Sequence, residues 1–171
     1  MATPVYMSIQ GSRQGLITKE ALSFESAGNI YDKEYKDQIL VQAFSHVITI
    51  PCDLQSSQPA TTRIHKPLRI TKIFDKASPM LQAALASNEH LPLVEIYWYR
   101  IANGVLQHYY TTRLEDAAIV EIQDYMLSSQ DPANAHSSHL QDVYIAYSKI
   151  TWTHLTAKSS GSDDLRMPIR A

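Results

Sequence analysis

Residues 75–89, DKASPMLQAALASNE, decide the fold class, because they carry the one convincing helical pattern in a chain otherwise patterned as strands. Ser78 followed by Pro79 is a helix-start pair. The serine oxygen can cap a free backbone N–H, and proline suits an early position that needs no N–H partner. Asp75 serves equally as the cap, with Pro79 still inside the first turn. Ala77, Met80, Leu81, Ala84 and Leu85 fall at helical spacing and give one apolar side. Asn88 predicts the stop, and Pro92 bars continuation. A single short stripe cannot bury itself, so a sheet is required beneath it. The spacing places Ala77, Leu81, Ala84 and Leu85 on that sheet. It leaves Lys76, Gln82, Ser87 and Glu89 for a neighbour or solvent.

Upstream, Val5, Met7 and Ile9 alternate with Tyr6 and Ser8, predicting a half-buried strand. Residues 16–17 add a short one, and residues 22–26 alternate weakly before the Gly28-Asn29 turn. Residues 39–50, ILVQAFSHVITI, predict one long strand with Leu40, Phe44, His46, Ile48 and Ile50 on a shared face. Residues 51–66 are polar and include Pro59. So long a connection between two extended flanks predicts a hairpin arm, residues 46–67, with its tip in 53–62. Residues 69–74 then lead into the helix.

Downstream, residues 93–101, LVEIYWYRI, are apolar on both faces: Val94, Ile96 and Trp98 on one, Leu93, Tyr97, Tyr99 and Ile101 on the other. Asn103-Gly104 is the strongest hairpin signal, since both residues accept positive φ in a type I′ turn. Residues 106–114 and 118–126 predict two further strands. Residues 143–154 predict the last, with a parity switch near Ser148-Lys149 assigned to a β-bulge. Residues 159–171 read as an extended tail, mobile or docked on a partner. Many strands, one central helix and no βαβ alternation predict a mainly β fold. It is a compact antiparallel β-barrel or pair of packed sheets over residues 1–158, with one flanking α-helix and a protruding β-hairpin arm.

The 171 residues suffice for one domain with a real core. Lys plus Arg number 15 and Asp plus Glu 17, so no basic excess draws the chain to nucleic acid or an anionic membrane surface. No apolar run approaches the ~20 residues of a membrane helix, and no cleaved signal peptide is visible at the start. Cys52 is the single cysteine, which excludes an internal disulfide.

Candidate chemistry is sparse. His136-x-x-His139 lacks the further ligands zinc needs, and two solvated loop histidines explain the pair better. His46 lies on an apolar face, where a hydrogen-bonded structural role outweighs catalysis. Cys52 with His46 or His65 makes a nucleophile–base pair only if folding joins them, and an arm excludes water poorly. Residues 11–15 lack the Gly-Lys-Ser/Thr of a phosphate loop. The run Arg63, His65, Lys66, Arg69, Lys72 has no interleaved aromatics for base stacking. No catalytic residue, cofactor or metal site is assigned.

Several stretches, taken in order, carry a family resemblance: Pro4-Val5-Tyr6-Met7, Ser26-Ala27-Gly28-Asn29-Ile30-Tyr31, and the arm from His46-Val47-Ile48-Thr49-Ile50-Pro51 with Asp53 to Arg63-Ile64-His65-Lys66-Pro67. Asp75-Lys76-Ala77-Ser78-Pro79, Trp98-Tyr99-Arg100, Leu114-Glu115-Asp116-Ala117, Asp131-Pro132 and Lys149-Ile150-Thr151-Trp152 follow, then Ser160-Gly161-Ser162-Asp163-Asp164 and Pro168. Together they resemble the haemolysin-coregulated protein family, the inner-tube protein of the bacterial type VI secretion system. The resemblance implies a homo-hexameric ring of small β-barrels, and rings stacked into a hollow tube inside a contractile sheath and beneath a spike protein. It also implies shelter for small effector proteins in the lumen, no enzymatic activity, and assembly in the cytoplasm followed by secretion without a cleaved signal.

On this reading the stacking arm presents Pro51, Asp53, Gln58, Arg63, His65 and Lys66. Ring packing uses Gln82, Glu89, Tyr97 and Tyr99, and the tail docks through Asp163 and Asp164. Two readings of other classes compete. One is a monomeric β-barrel ligand-binding module, and the other a hydrolase built on Cys52 or a histidine.

Overall fold

The computed structural model describes residues 3–167. Pro168, assigned to the tail motif from sequence, lies outside the described residues. Two antiparallel sheets enclose one core, and a helix lies across them. The first sheet runs β12 (Ser159–Asp164), β11 (Lys149–His154), β9 (Val105–Met126), β8 (Leu91–Ala102) and β1 (Val5–Gly11). Both β2 (Gly15–Leu16) and β3 (Ile39–Val41) pair with β1. The second runs from the far half of β9 through β10 (His139–Ala146) and β7 (Leu68–Ile73) to β4 (Ala43–Ser45). The arm is a separate ribbon of β5 (Ile48–Thr49) and β6 (Ile64–His65), and a single helical turn, α1 (Phe24–Ala27), precedes β3.

Of the two forms expected, packed sheets are the one adopted; the strands do not close into an uninterrupted barrel. One strand turns a corner between the sheets. β9 pairs with β8 and β11 along its first half and with β10 along its second. Asp116, at φ 51°, sits at the change of partner. The two strands expected at 106–114 and 118–126 are therefore one, because the bend is a local conformational kink rather than a loop. The opposite correction applies to residues 39–50. That segment is broken at Gln42, whose N–H leaves β1 and donates to the Thr71 carbonyl in the second sheet at 2.8 Å. The break also inverts the expected face: Ile39 and Val41 are buried, whereas Leu40 is only half-buried.

Two further expectations are corrected. The parity switch after Tyr147 is a crossing between sheets, not a bulge: β10 belongs to the second sheet and β11 to the first. Residues 22–26, expected to extend, instead turn and enter α1, whose Ser26 hydroxyl donates to the Ala21 carbonyl at 2.6 Å.

The flanking helix is α2 (Ala77–Ala86). Asp75 rather than Ser78 caps it: the Asp75 carboxylate accepts the Ala77 N–H at 2.9 Å, and the Ser78 hydroxyl accepts the Asp75 N–H at 3.1 Å. This is a reciprocal capping box with serine in the returning position. At the other end Asn88 adopts φ 51°, Asn88 N–H reaches the Leu85 carbonyl at 3.2 Å, and Glu89 N–H reaches Ala84 at 2.8 Å. That pair of bonds is a Schellman motif, the stop that Asn88 predicted. Ala77, Leu81 and Ala84 are buried, with Leu85 packed at their margin, as the spacing required.

Glu89 is not on the free side of the helix. The Schellman turn directs it inward, it is 2% exposed, and Gly11 leaves room for its carboxylate: a side chain there would collide with Glu89. Gln82 does face outward, half-buried, and donates to Asp124 at 3.0 Å.

Under the same helix lies Lys72, fully buried on β7. Its Nζ contacts the Asp75 carboxylate at 2.9 Å, and donates to the Ile73 carbonyl and the Ser78 hydroxyl at 2.8 Å each. Gln141 of β10 offers its Oε1 at 3.4 Å and passes its own N–H to Asp124 of β9 at 2.8 Å. Burial pushes the ammonium down and the Asp75 carboxyl up, and their mutual attraction opposes both shifts. Leu81→Asp places a charge in the fully buried stripe and is expected to abolish soluble folded protein. Gln82→Ala removes one exposed hydrogen bond and is expected to change the urea midpoint little. Equal loss of soluble protein in both variants would contradict this helix orientation.

Candidate functional site

The arm and its attachment form the candidate site. At the tip, the Asp53 carboxylate accepts the Gln55 N–H at 2.7 Å, and the Asp53 N–H closes the turn on the Gln58 carbonyl at 2.9 Å. An Asx turn of this kind is why aspartate suits that position. Below the tip, Cys52 and Pro59 form an isolated bridge, and Ala60 N–H donates to Pro51 at 2.8 Å. β5 and β6 pair, and Lys66 N–H closes the ribbon on the Val47 carbonyl at 3.0 Å. Cys52 donates to the Ile50 carbonyl at 3.6 Å rather than meeting a histidine, so the nucleophile–base pairing is not assembled.

The base of the arm is a polar chain. His46 Nε2 lies 2.7 Å from the Tyr147 hydroxyl, and His65 Nδ1 lies 2.7 Å from the same oxygen. His65 Nε2 lies 2.7 Å from the Asp163 carboxylate. Arg63 donates to both Asp163 oxygens, at 2.5 Å and 2.9 Å, and to the Asp164 carbonyl at 3.2 Å. The residues come from four places in the sequence: the two arm flanks, the β10–β11 crossing and the final strand. The fork of the guanidinium matches the carboxylate in a bidentate pair.

The electrostatics follow from burial and partner. The Arg63 hydrogen bonds hold the Asp163 carboxyl below its ordinary range, with His65 adding to them. Burial, then the Asp163 charge, keeps the Tyr147 phenol well above its ordinary value. Burial pushes the His46 imidazole down, and the neighbouring His65 pushes it the same way.

The tail assignment thus changes in kind. Residues 159–164 are β12, hairpinned on β11, and their docking partner is the arm of the same chain. Sequence could not pair Asp163 with Arg63, because a hundred residues separate them and only the β11–β12 hairpin brings them together. Asp164 turns the other way. Arg166 hydrogen bonds hold its carboxyl at about 2, and Arg166 also reaches Asp116 at 2.7 Å.

Tyr97 and Tyr99 project from the face of the first sheet opposite the core. The Tyr97 hydroxyl shares a hydrogen bond with Ser8 at 3.2 Å, and Tyr99 stacks on His108 with ring centroids 5.1 Å apart. His136 is exposed in a turn, and His139 opens β10 with its ring beside Phe74. Among the described residues no group of three or more ligating side chains gathers around a metal-sized site. No helix among them is long and apolar enough to cross a membrane.

The geometry predicts that Asp163→Asn loosens the arm while sparing the body. Amide exchange at Lys66 should accelerate, and exchange in β8 should not. Unchanged protection at Lys66 would show that the Arg63–Asp163–His65 contact does not restrain the arm.

Comparison with known proteins places this architecture. Residues 6–154 match the family model described as type VI secretion system effector, Hcp. The "Major exported protein" of Pseudomonas aeruginosa is 58% identical over 170 residues, covering 99% of both chains. A solved structure described as that of an Hcp protein superposes with a TM-score of 0.93 at 42% identity, covering 98% of this chain and 100% of its own. The secreted protein Hcp3 of Pseudomonas aeruginosa superposes at 0.82 with 51% identity, covering 97% and 100%. The likeness runs along nearly the whole length in both sequence and fold, and the chain belongs to the Hcp family of type VI secretion proteins.

Proposed function

We propose that this chain is the tube subunit of a type VI secretion system. Six copies close a ring, and rings stack head-to-tail into a hollow tube that a contractile sheath expels behind a spike. A heterologous contact closes a ring when its rotation closes, and extends along an axis when it does not. The lumen shelters small effector proteins. The tube assembles in the cytoplasm and leaves without a cleaved signal peptide. Family membership supports the secretion role, and no step of it requires the chain to act as an enzyme.

The observation that carries the proposal is the arm's apolar surface. Val47, Ile48, Ile50 and Ile64 are each 41% to 47% exposed, and Leu54 at the tip is fully exposed. A narrow ribbon has no second layer to cover such side chains, and burying one leucine is worth about 1.5–3 kcal/mol. A surface of this kind on a projecting element is suited to a complementary copy. Pro51, Asp53 and Gln58 would then set the shape of the tip. Arg63 and His65 are committed to Asp163 and would fix the arm's direction, and exposed Lys66 remains available to the next ring.

A second set of exposed apolar residues, Ile101, Val105 and Leu106 at the β8–β9 hairpin and Val120 and Met126 farther along β9, suits lateral contacts. Tyr97 and Tyr99 stay candidates for the ring, and Glu89 does not, because it is buried within the subunit.

Negative-stain microscopy of purified protein is expected to reveal hexagonal particles with a central hole, and a monomer would favour the ligand-binding alternative. Deleting residues 53–62 should leave rings intact and shorten or abolish stacks. Long tubes formed by that variant at wild-type concentration would overturn the arm's assignment.

A further inference from the structure

The chain at the base of the arm has a property that a set of fixed ion pairs lacks: its hydrogen bonds reverse. An ionised Asp163 only accepts, so His65 Nε2 carries a proton and donates to it. With His65 neutral, its Nδ1 accepts from the Tyr147 hydroxyl, whose oxygen accepts from His46 Nε2. Adding one proton at His65 Nδ1 turns the hydroxyl round, so that it accepts from His65 and donates to His46 Nε2, which takes the other neutral tautomer. Every bond in the chain survives. A second proton, on His46, finds no such arrangement. Both rings then donate to one hydroxyl, whose own proton loses its acceptor. Two cations would also lie with ring centroids 6.5 Å apart.

We propose that the His46–Tyr147–His65–Asp163 chain is a proton-sensitive latch that holds the arm against the body and releases it in acid. His46 and His65 stand on the two flanks of the arm, while Tyr147 and Asp163 belong to the body, so the frustrated bonds are those that cross between them. The charged groups around it act in one direction. Arg63 on β6 shares the Asp163 carboxylate, so a cationic His65 and Arg63 compete for one anion. Asp164 is turned away to Arg166 and Lys149 and supplies no second counter-ion. Among the described residues His46 has no carboxylate within ion-pair distance.

The sign of the pH effect follows. His46 is harder to protonate in the closed latch than free in water, so the released arm binds more protons. Closure is therefore unpenalised above the ordinary histidine value of 6.5, and weakens progressively as the pH falls through it towards the depressed value. Asp163, held low by Arg63, adds a loss of the same sign at still lower pH. The latch acts within one subunit. Its consequence for ring stacking rests on the tube reading above, but its operation does not.

The exposed single cysteine makes the test direct. A nitroxide spin label on Cys52 reports arm motion in dilute protein, between about pH 8 and pH 5, with circular dichroism following the body. In the wild type the mobile fraction should rise several-fold with a midpoint below the ordinary histidine value, while the dichroism stays constant. His46→Gln cannot take the second proton and should abolish the transition. Should that variant fail to fold, His65→Gln removes the like-charged partner, makes His46 easier to protonate in the closed latch, and should shift the midpoint downward or flatten the transition. A wild-type spectrum that is the same at both pH values overturns the latch, as does an unaltered pH profile in either variant. A normal latch in protein that never forms tubes would instead refute the stacking role of the arm alone.

Discussion

The buried ammonium of Lys72 is the constraint on which the other parts depend. It sits on β7, the strand by which the arm returns to the body, and it is surrounded by groups from the helix start and the neighbouring strand β10. Asp75 and Ser78 belong to the start of α2, and Gln141 belongs to β10 and carries the contact on to Asp124 of β9. A lysine in a core is costly unless its charge and its donors are satisfied, so the residues that satisfy it are fixed in position. Asp75 meets two demands at once, capping the helix and neutralising the lysine. The helix therefore cannot slide along the sheet without uncovering a charge, and the strand that anchors the arm shares that rigidity.

A second constraint sets the shape. Two flat sheets would leave their edges unpaired, and here continuous backbone turns the corners instead. β9 bends at Asp116 to serve both sheets, and the backbone around Gln42 passes from β1 to β7. The last hairpin, β11–β12, extends the first sheet and delivers Asp163 to the arm. The arm is thus tied at both flanks. One tie is its covalent continuation into β7 and the Lys72 cluster. The other is the polar chain from Asp163 to His46. Its tip is left to the Asx turn at Asp53, with apolar surface uncovered on either side. A stiff base beneath an uncovered apolar surface suits the stacking role proposed for the arm.

What was legible in the sequence is what local chemistry decides. The α2 stripe, its Asn88 stop, the Asn103-Gly104 turn and the arm between residues 46 and 67 each depend on residues near one another. The strand breaks were not legible, because β-branched and aromatic residues continue through Gln42 and through Tyr147 while the chain changes sheets. Lys72 sits in a run of basic residues whose sequence gives no sign of burial; only the tertiary contacts with Asp75 and Gln141 mark it as core. Glu89 was misplaced for the same reason: helical spacing ends at the Schellman turn, after which the side chain points where the loop directs it. The partners of Asp163, Arg63 and His65, could not be read from sequence, because they required the final hairpin to be known.

The most direct test of this account is a double-mutant cycle on the Lys72–Asp75 pair, read by urea unfolding. Lys72→Met strands a buried carboxylate and is predicted to lose about 3–5 kcal/mol, with Asp75→Asn alone similarly harmful and the double variant far less destabilised than their sum. Single variants of wild-type stability, or losses that simply add, would contradict the claim that this ion pair holds helix, sheet and arm as one body.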